Sequence, residues 1–285
     1  MNTKHLHQIV PAVLAAGFLV AACGTASAQS VLLSDSFNTG GASGSVDSFN
    51  GSAASRQTGS LTGTGYTSKG ALENINANQV VFAGGFGGGG PSRLFINNDF
   101  ASGSAGSAIT TSGGFTISYN FFAPASASGS GNWLGIIVGE TSAFVNSDNG
   151  IQINNSATPF GLLVKGNGGY QSFSDGTQGN GSQPALTLNY GSTANQVVLT
   201  FLTTSFASGS SATVSATVNG TAINLGADAN ITWGAGGQNY IQFEDYQNDG
   251  YGMNNLVIST VPEPGTMTLA ALGGASLLFW RRRSK

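Results

Sequence analysis

The sequence predicts an all-β fold, an antiparallel β-sandwich. Three observations carry this. Short runs of alternating apolar residues recur along the middle of the chain. Clusters of Gly, Ser, Asn and Asp separate them, and no helical periodicity of useful length appears between the two ends. The stretch 31–258 contains no cysteine, so a core of this kind must hold without disulfides. Its length suits one large β domain.

The elements follow in chain order. Val31–Phe37 opens as a strand. Residues 38–70 are rich in Gly, Ser and Thr and predict long loops with one or two weak strands. Gln79–Phe82 and Arg93–Ile96 are short strands on either side of a glycine-rich loop, 83–90. That loop lacks the Lys-Ser/Thr ending of a phosphate cradle. Phe115–Phe121 alternates cleanly, with odd positions apolar and even positions polar. Trp133–Val138 is continuously apolar, as a central strand would be. Ile151–Asn154, Gly161–Lys165, Ala185–Tyr190, Gln196–Thr203 and Ala212–Val218 follow. The last runs into Asn219-Gly220, a strong hairpin signal because both residues tolerate positive φ. Ile223–Leu225 is the return strand; Asn239–Tyr246 and Asn255–Ser259 end the domain.

Charge bounds the function. Charged residues make up 7% of the chain, far below the roughly 25% usual in globular domains. Between residues 31 and 258 stand Arg56, Lys69, Arg93 and Lys165 against eleven carboxylates, a net charge of −7 (4 minus 11). Four scattered cations form no basic stripe, so nucleic acid is not an expected partner. Both histidines, His5 and His7, and the one cysteine, Cys23, fall before this stretch. Ser-His-Asp and Cys-His catalysis and imidazole or thiolate zinc sites therefore have no residues to use. Glu244 and Asp245 are adjacent, point to opposite faces of a strand and read as surface charges at its end. The domain reads as non-enzymatic. No cofactor is expected apart from calcium, for which Asp245, Asn248 and Asp249 before Gly250 offer an oxygen-rich turn. Trp233 and Tyr246 are the candidates for stacking on a sugar ring, while Trp133 reads as core.

The two ends carry addresses. Residues 1–28 read as a signal peptide: Lys4, an apolar run Ile9–Ala22, and the small-x-small site Ala26-Ser27-Ala28. Within it, Val20-Ala21-Ala22-Cys23 resembles a bacterial lipobox, so cleavage after Ala28 and lipidation of Cys23 are both open. At the other end Val261-Pro262-Glu263-Pro264 precedes an apolar run to Trp280 and then Arg281-Arg282-Arg283-Ser284-Lys285. Breaker, apolar helix and positive anchor follow the order of a membrane stop signal.

This tail, 261–285, resembles the PEP-CTERM sorting signal of Gram-negative bacteria. The resemblance implies export, a transmembrane helix held in the inner membrane, recognition by an exosortase, and release to the cell surface or matrix alongside secreted polysaccharide. The middle resembles the concanavalin-A-like, or laminin-G-like, jelly roll. That likeness rests on Asp35-Ser36-Phe37 in the opening strand, Val218-Asn219-Gly220, and Asn254-Asn255-Leu256-Val257 near the end. It implies a carbohydrate-binding module, calcium-dependent in some members, as the alternative to a matrix role.

Overall fold

The computed structural model describes residues 29–68, 73–76, 78–82, 91–125, 131–140, 151–181, 183–246 and 250–262. Residues 1–28, where the sequence predicts a signal peptide and which include Cys23, lie outside the described residues, as do Glu263, Pro264 and the whole apolar and arginine-rich stretch after them. No helix among the described residues is long and apolar enough to cross a membrane. Ser30–Val261 forms one compact unit.

Two antiparallel sheets make up this unit. The first, of eleven strands, is built around β15(Thr221–Ala222)-β14(Ser211–Val218)-β13(Asn195–Leu202)-β8(Gly114–Phe122)-β18(Gly252–Thr260)-β6(Gln79–Phe82)-β5(Glu73–Asn76)-β2(Gly44–Ser45). β1(Val31–Asp35) pairs with β18 and with β3(Gln57–Thr58), and β16(Asn230–Thr232) pairs with β14. The second, of seven strands, runs β12(Thr177–Gln178)-β11(Tyr170–Ser174)-β10(Phe160–Lys165)-β9(Trp133–Glu140)-β17(Tyr240–Tyr246)-β7(Ser92–Ile96)-β4(Tyr66–Ser68).

Alternation in the sequence becomes two-faced burial. In β14 the apolar Ala212, Val214, Ala216 and Val218 are buried, and Ser211, Thr213 and Ser215 between them are exposed. The inward faces of both sheets meet in one core, and aromatic pairs cross it. Phe160 of the second sheet meets Phe201 of the first edge-on at 5.4 Å. Tyr119 and Phe243 do the same at 4.9 Å. Edge-to-face contact sets a positive ring edge against a negative face, which adds to the area buried. Asn219 (φ 51°) and Gly220 (φ 75°) supply the left-handed pair that a tight hairpin needs.

One polar knot sits inside this apolar frame. The buried Asp35 carboxylate takes Arg56 Nε at 3.2 and 3.1 Å, Gln57 Nε2 at 2.8 Å, the Tyr66 hydroxyl at 2.9 Å and the Phe37 amide at 2.7 Å. Asp35 and Gln57 belong to the first sheet and Tyr66 to the second, so one carboxylate ties the two together. Buried charge is tolerated here because it is paired and its lone pairs are filled.

The structure departs from the predicted elements at several points, and β5, β11, β12 and β16 are strands that the sequence pattern does not name. Gly103–Ser112 is a helix, α1, where the sequence predicts none. Ile151–Asn154 is turn rather than strand. Ala185–Tyr190 joins a sheet only through an isolated bridge from Tyr190 to Ala123. The return strand of the hairpin is Thr221–Ala222 rather than Ile223–Leu225.

Candidate functional site

The second sheet has an outer face, turned away from the shared core. On β17, Ile241 and Phe243 belong to the main core. Strand alternation therefore sends Gln242, Glu244 and Tyr246 to the outer face. Arg93 sits opposite Glu244, and Gly135 and Trp133 opposite Glu244 and Tyr246 on the other side. A second apolar cluster forms on this face from Trp133, Ile137, Ile153, Leu163 and Phe173, with Ile151 and Tyr246 packed against it.

Residues 151–158 cover part of this face. A side chain at Gly135 or Gly161 would collide with Ile153, since an added Cβ would lie 2.3 Å from its Cδ1 or 2.5 Å from its carbonyl oxygen. Two glycines thus open the sheet surface so that one isoleucine can lie on it. The backbone of the same segment is held by charge. Glu244 accepts from the amide of Gln152 at 3.1 and 3.0 Å and from the amide of Ile153 at 3.2 Å.

The polar groups beneath it are buried together. Arg93 Nε lies 3.7 Å from Glu244 Oε2, with side-chain exposures of 1% and 0%. Glu140 reaches the face because β9 and β17 slip register beside Gly139 (φ 94°), which places Glu140 opposite Tyr240. Burial pushes the Glu140 carboxyl up to about 7; the Glu244 charge adds to this, while Thr158 and Arg93 oppose it. The Thr158 hydroxyl lies 3.0 Å from Glu140 Oε1 and 3.1 Å from the Gln152 carbonyl. With one proton it can donate to one of them. A protonated Glu140 donates to Thr158, which then donates to Gln152. Gln242, between Glu140 and Glu244 on the same face, is fully buried with neither amide atom partnered. The cluster therefore keeps hydrogen-bonding capacity that the described protein groups do not fill.

One end of the face is open. Tyr246 is half-buried and stacks on Trp133 at 5.6 Å and 13°. Trp133 is opposite Lys165 on the next strand. With strands about 4.8 Å apart, Tyr246 and Lys165 are separated by about 10 Å. Beyond them lies a groove lined by Lys165, Asn167, Tyr170, Gln171, Gln178 and Gln183. Gln171 Nε2 donates to Gln178 Oε1 at 2.8 Å. Of the described cations, Arg56 and Arg93 are closed to solvent and ion-paired, so Lys165 is the one that reaches it.

The candidates from sequence fare differently. Trp233 is buried at 2%, packed against Phe206 and Phe201, with its indole N–H donated to Thr203 Oγ1 at 3.0 Å. It has no face to offer a sugar, contrary to its choice as a stacking residue. Glu244 and Asp245 point to opposite sides as expected, but both are buried and neither is a surface charge. Asp245 therefore does not stand in an open turn; Asn248 and Asp249 lie outside the described residues. Among the described residues no three acidic side chains gather as a metal cluster. Val261 is buried and its amide bonds Gly114 O at 3.0 Å, while Pro262 is exposed. Sequence reasoning missed Glu140 and Gln242, whose shared face depends on a register slip that spacing does not reveal.

Residues 260–283 match the PEP-CTERM protein-sorting motif. No curated protein matches the chain. Solved structures with similar backbones include a mutant of the Emp46p carbohydrate recognition domain, at TM-score 0.46 and 7% identity over 68% of this chain and 87% of that one. A protein of unknown function with galectin-like fold from Bacillus subtilis gives 0.44 and 7% over 70% and 90%. A mutant of alginate lyase Aly36B in complex with alginate trisaccharide gives 0.46 and 14% over 81% and 98%. Likeness at this level assigns no ligand or activity; the two-sheet architecture stands on its own strand pairing.

Proposed function

We propose that this chain is an exported, non-enzymatic protein of the cell surface or extracellular matrix, sorted through its C-terminal segment by an exosortase and associated with secreted polysaccharide. The match of residues 260–283 to the sorting motif carries this reading. Its placement supports it: β18 ends at Thr260, so the motif begins where the folded unit stops and Pro262 is already exposed. A processing enzyme could reach it without unfolding the sandwich. The absence of His and Cys after residue 23 supports a non-catalytic role. The test compares the full chain with one ending at Thr260, both expressed in a host that carries an exosortase. The full chain should reach the cell surface or medium, and the shortened chain should change compartment. Identical distribution of the two would contradict the reading.

A second reading concerns what the sandwich does once exported. The open end of the outer face supports carbohydrate binding: an aromatic ring, a lysine and several amides lie side by side. Lys165, the described cation that reaches the groove, is the group that would pair with an acidic sugar, against the overall negative charge of the domain. A glycan-binding screen with acidic and neutral polysaccharides tests this. Binding to acidic glycans that weakens with salt supports it; no binding to any glycan removes it.

A further inference from the structure

Tyr246, at the open end of the outer face, has a counterpart at the other end of its strand. Tyr240 begins β17, is half-buried and stacks on Phe95 at 5.1 Å and 23°. Phe95 lies between the core residues Leu94 and Ile96 on β7, so it too faces outward. The two tyrosines are separated by about 20 Å of extended chain. Between them on the same face stand Gln242 and Glu244, flanked by Arg93 on β7 and Glu140 on β9. A ring at each end with hydrogen-bonding groups between them suits one long polysaccharide chain.

Residues 151–158 lie across the middle of this line and join neither sheet. Their turns are bonded from within: the Asn155 amide donates to Gln152 O at 2.8 Å, the Thr158 amide to Asn155 O at 3.0 Å and the Ala157 amide to Asn155 Oδ1 at 2.9 Å. Glu244 holds two of their amides, Ile153 rests above Gly135 and Gly161, and the Thr158 hydroxyl reaches Glu140. The Asp175 amide donates to Thr158 O at 3.0 Å and fixes that end beside β11. A unit bonded from within and resting on a surface can lift without unravelling the sheet below. The fit beneath it is incomplete. Gln242 is fully buried with neither amide atom partnered, and Glu140 Oε2 is buried without a partner. Such groups cost stability while they stay covered. Sugar hydroxyls, which donate and accept, would satisfy them.

We propose that residues 151–158 are a strap closed over the middle of one long glycan-binding cleft, and that a polysaccharide running along β17 from Tyr246 to Tyr240 displaces it and bonds Gln242 and Glu140. This rests on the carbohydrate reading of the open end given above. The strap lowers the apparent affinity by the fraction of molecules in which it is lifted. It also sets a length threshold. A short oligosaccharide fits the open end alone, and only a longer chain reaches beneath the strap.

Titration calorimetry of the full chain with polygalacturonate and with its dimer, paired with amide hydrogen exchange, tests the proposal. Thr158→Val cuts the link from Glu140 to Gln152, and Ile153→Ala empties the place above the two glycines. Each should bind the polymer several-fold more tightly than the parent and the dimer equally well. Gln242→Leu should weaken polymer binding about fivefold and leave stability equal or higher, because it removes unmet polar groups. A glutamine with only a structural role would instead lower stability. In the parent, the polymer should speed exchange at the Gln152 and Ile153 amides. Binding by the two strap variants and not by the parent also supports the strap. Polymer binding that leaves those amides as protected as before, or that neither strap variant tightens, overturns the strap and leaves the carbohydrate reading standing. No binding by the parent or by either strap variant overturns both.

Discussion

Glu244 and Arg93 stand opposite one another on β17 and β7, and their ion pair lies on a sheet face closed to water, with Nε and Oε2 3.7 Å apart. The same carboxylate also holds the backbone of Gln152 and Ile153. One side chain thus balances a buried cation and fastens a covering segment.

Removing it should be costly. Glu244→Ala leaves the Arg93 charge buried without that partner and strips both amides of an acceptor. Breaking a buried pair from one side costs about 3–5 kcal/mol. Denaturant unfolding should show a lower midpoint of that order. Limited proteolysis should find new cleavage within 151–158. A midpoint unchanged to within about 0.5 kcal/mol would mean the pair bears no weight.

Glu140 gives the fold a pH dependence. Its carboxyl is held up to about 7 in the folded chain by burial and then by Glu244, opposed by Thr158 and Arg93. An unfolded glutamate titrates near 4.3. Because the folded value is the higher one, the folded chain binds the extra proton between those values. The stabilisation from Glu140 is then complete below about pH 4 and fades as pH rises through 7. Glu140→Gln cannot titrate. Its stability relative to the parent should climb from about pH 4 to about pH 7 and then level off, by roughly 3–4 kcal/mol at most. Parallel stability curves for the two chains over that range would contradict the assignment.

The inter-sheet core has a focus at Phe201, which stacks on Phe115 at 4.8 Å, meets Phe160 edge-on at 5.4 Å and approaches Trp233 at 6.2 Å. Phe201→Ala should destabilise by about 3–5 kcal/mol, the sum of lost transfer energy and the cavity left behind. Chemical denaturation measures this directly. The exposed Leu202 next to it should tolerate alanine with a change within about 0.5 kcal/mol.

On the outer face, Lys165→Gln should reduce binding of an acidic polysaccharide at least tenfold and flatten its salt dependence. Tyr246→Ala should weaken binding as well, by removing the accessible ring. Trp233→Phe should leave binding unchanged, since its ring is inside. Affinity electrophoresis in gels containing the polysaccharide reads all three. Loss of binding with Trp233→Phe at unchanged stability would contradict the placement of the site.

The strands that alternate in sequence were the legible ones. β8, β13 and β14 pack one face on the core, so their pattern is one of one-sided burial, which period 2 reports. The same logic misleads at Ile151–Asn154. Ile151 and Ile153 alternate because they rest on the outer face of the sheet, not because they join a ladder. α1 was hidden by composition. Gly, Ser and Thr are weak helix formers. Its apolar contact is little more than Ala105 and Ile109, and it is ended by the left-handed Gly113 (φ 84°). Of the site, Tyr246 and the glutamate-aspartate pair were visible by residue type. The burial of Glu244, Asp245 and Trp233 was not, because it depends on elements distant in sequence that cover them. The alternative jelly-roll markers at Asp35 and Asn219 turned out to have structural work: one knots the two sheets, the other turns a hairpin.

The most direct test of the sorting role is the intact mass of the extracellular protein, taken from cells with and without an active exosortase. With the enzyme, the protein should have lost the segment containing Arg281–Lys285 while retaining the sandwich through Val261. Without it, the tail should remain and the protein should stay with the membrane fraction. An extracellular protein that keeps Arg281–Lys285 in both strains would contradict the account.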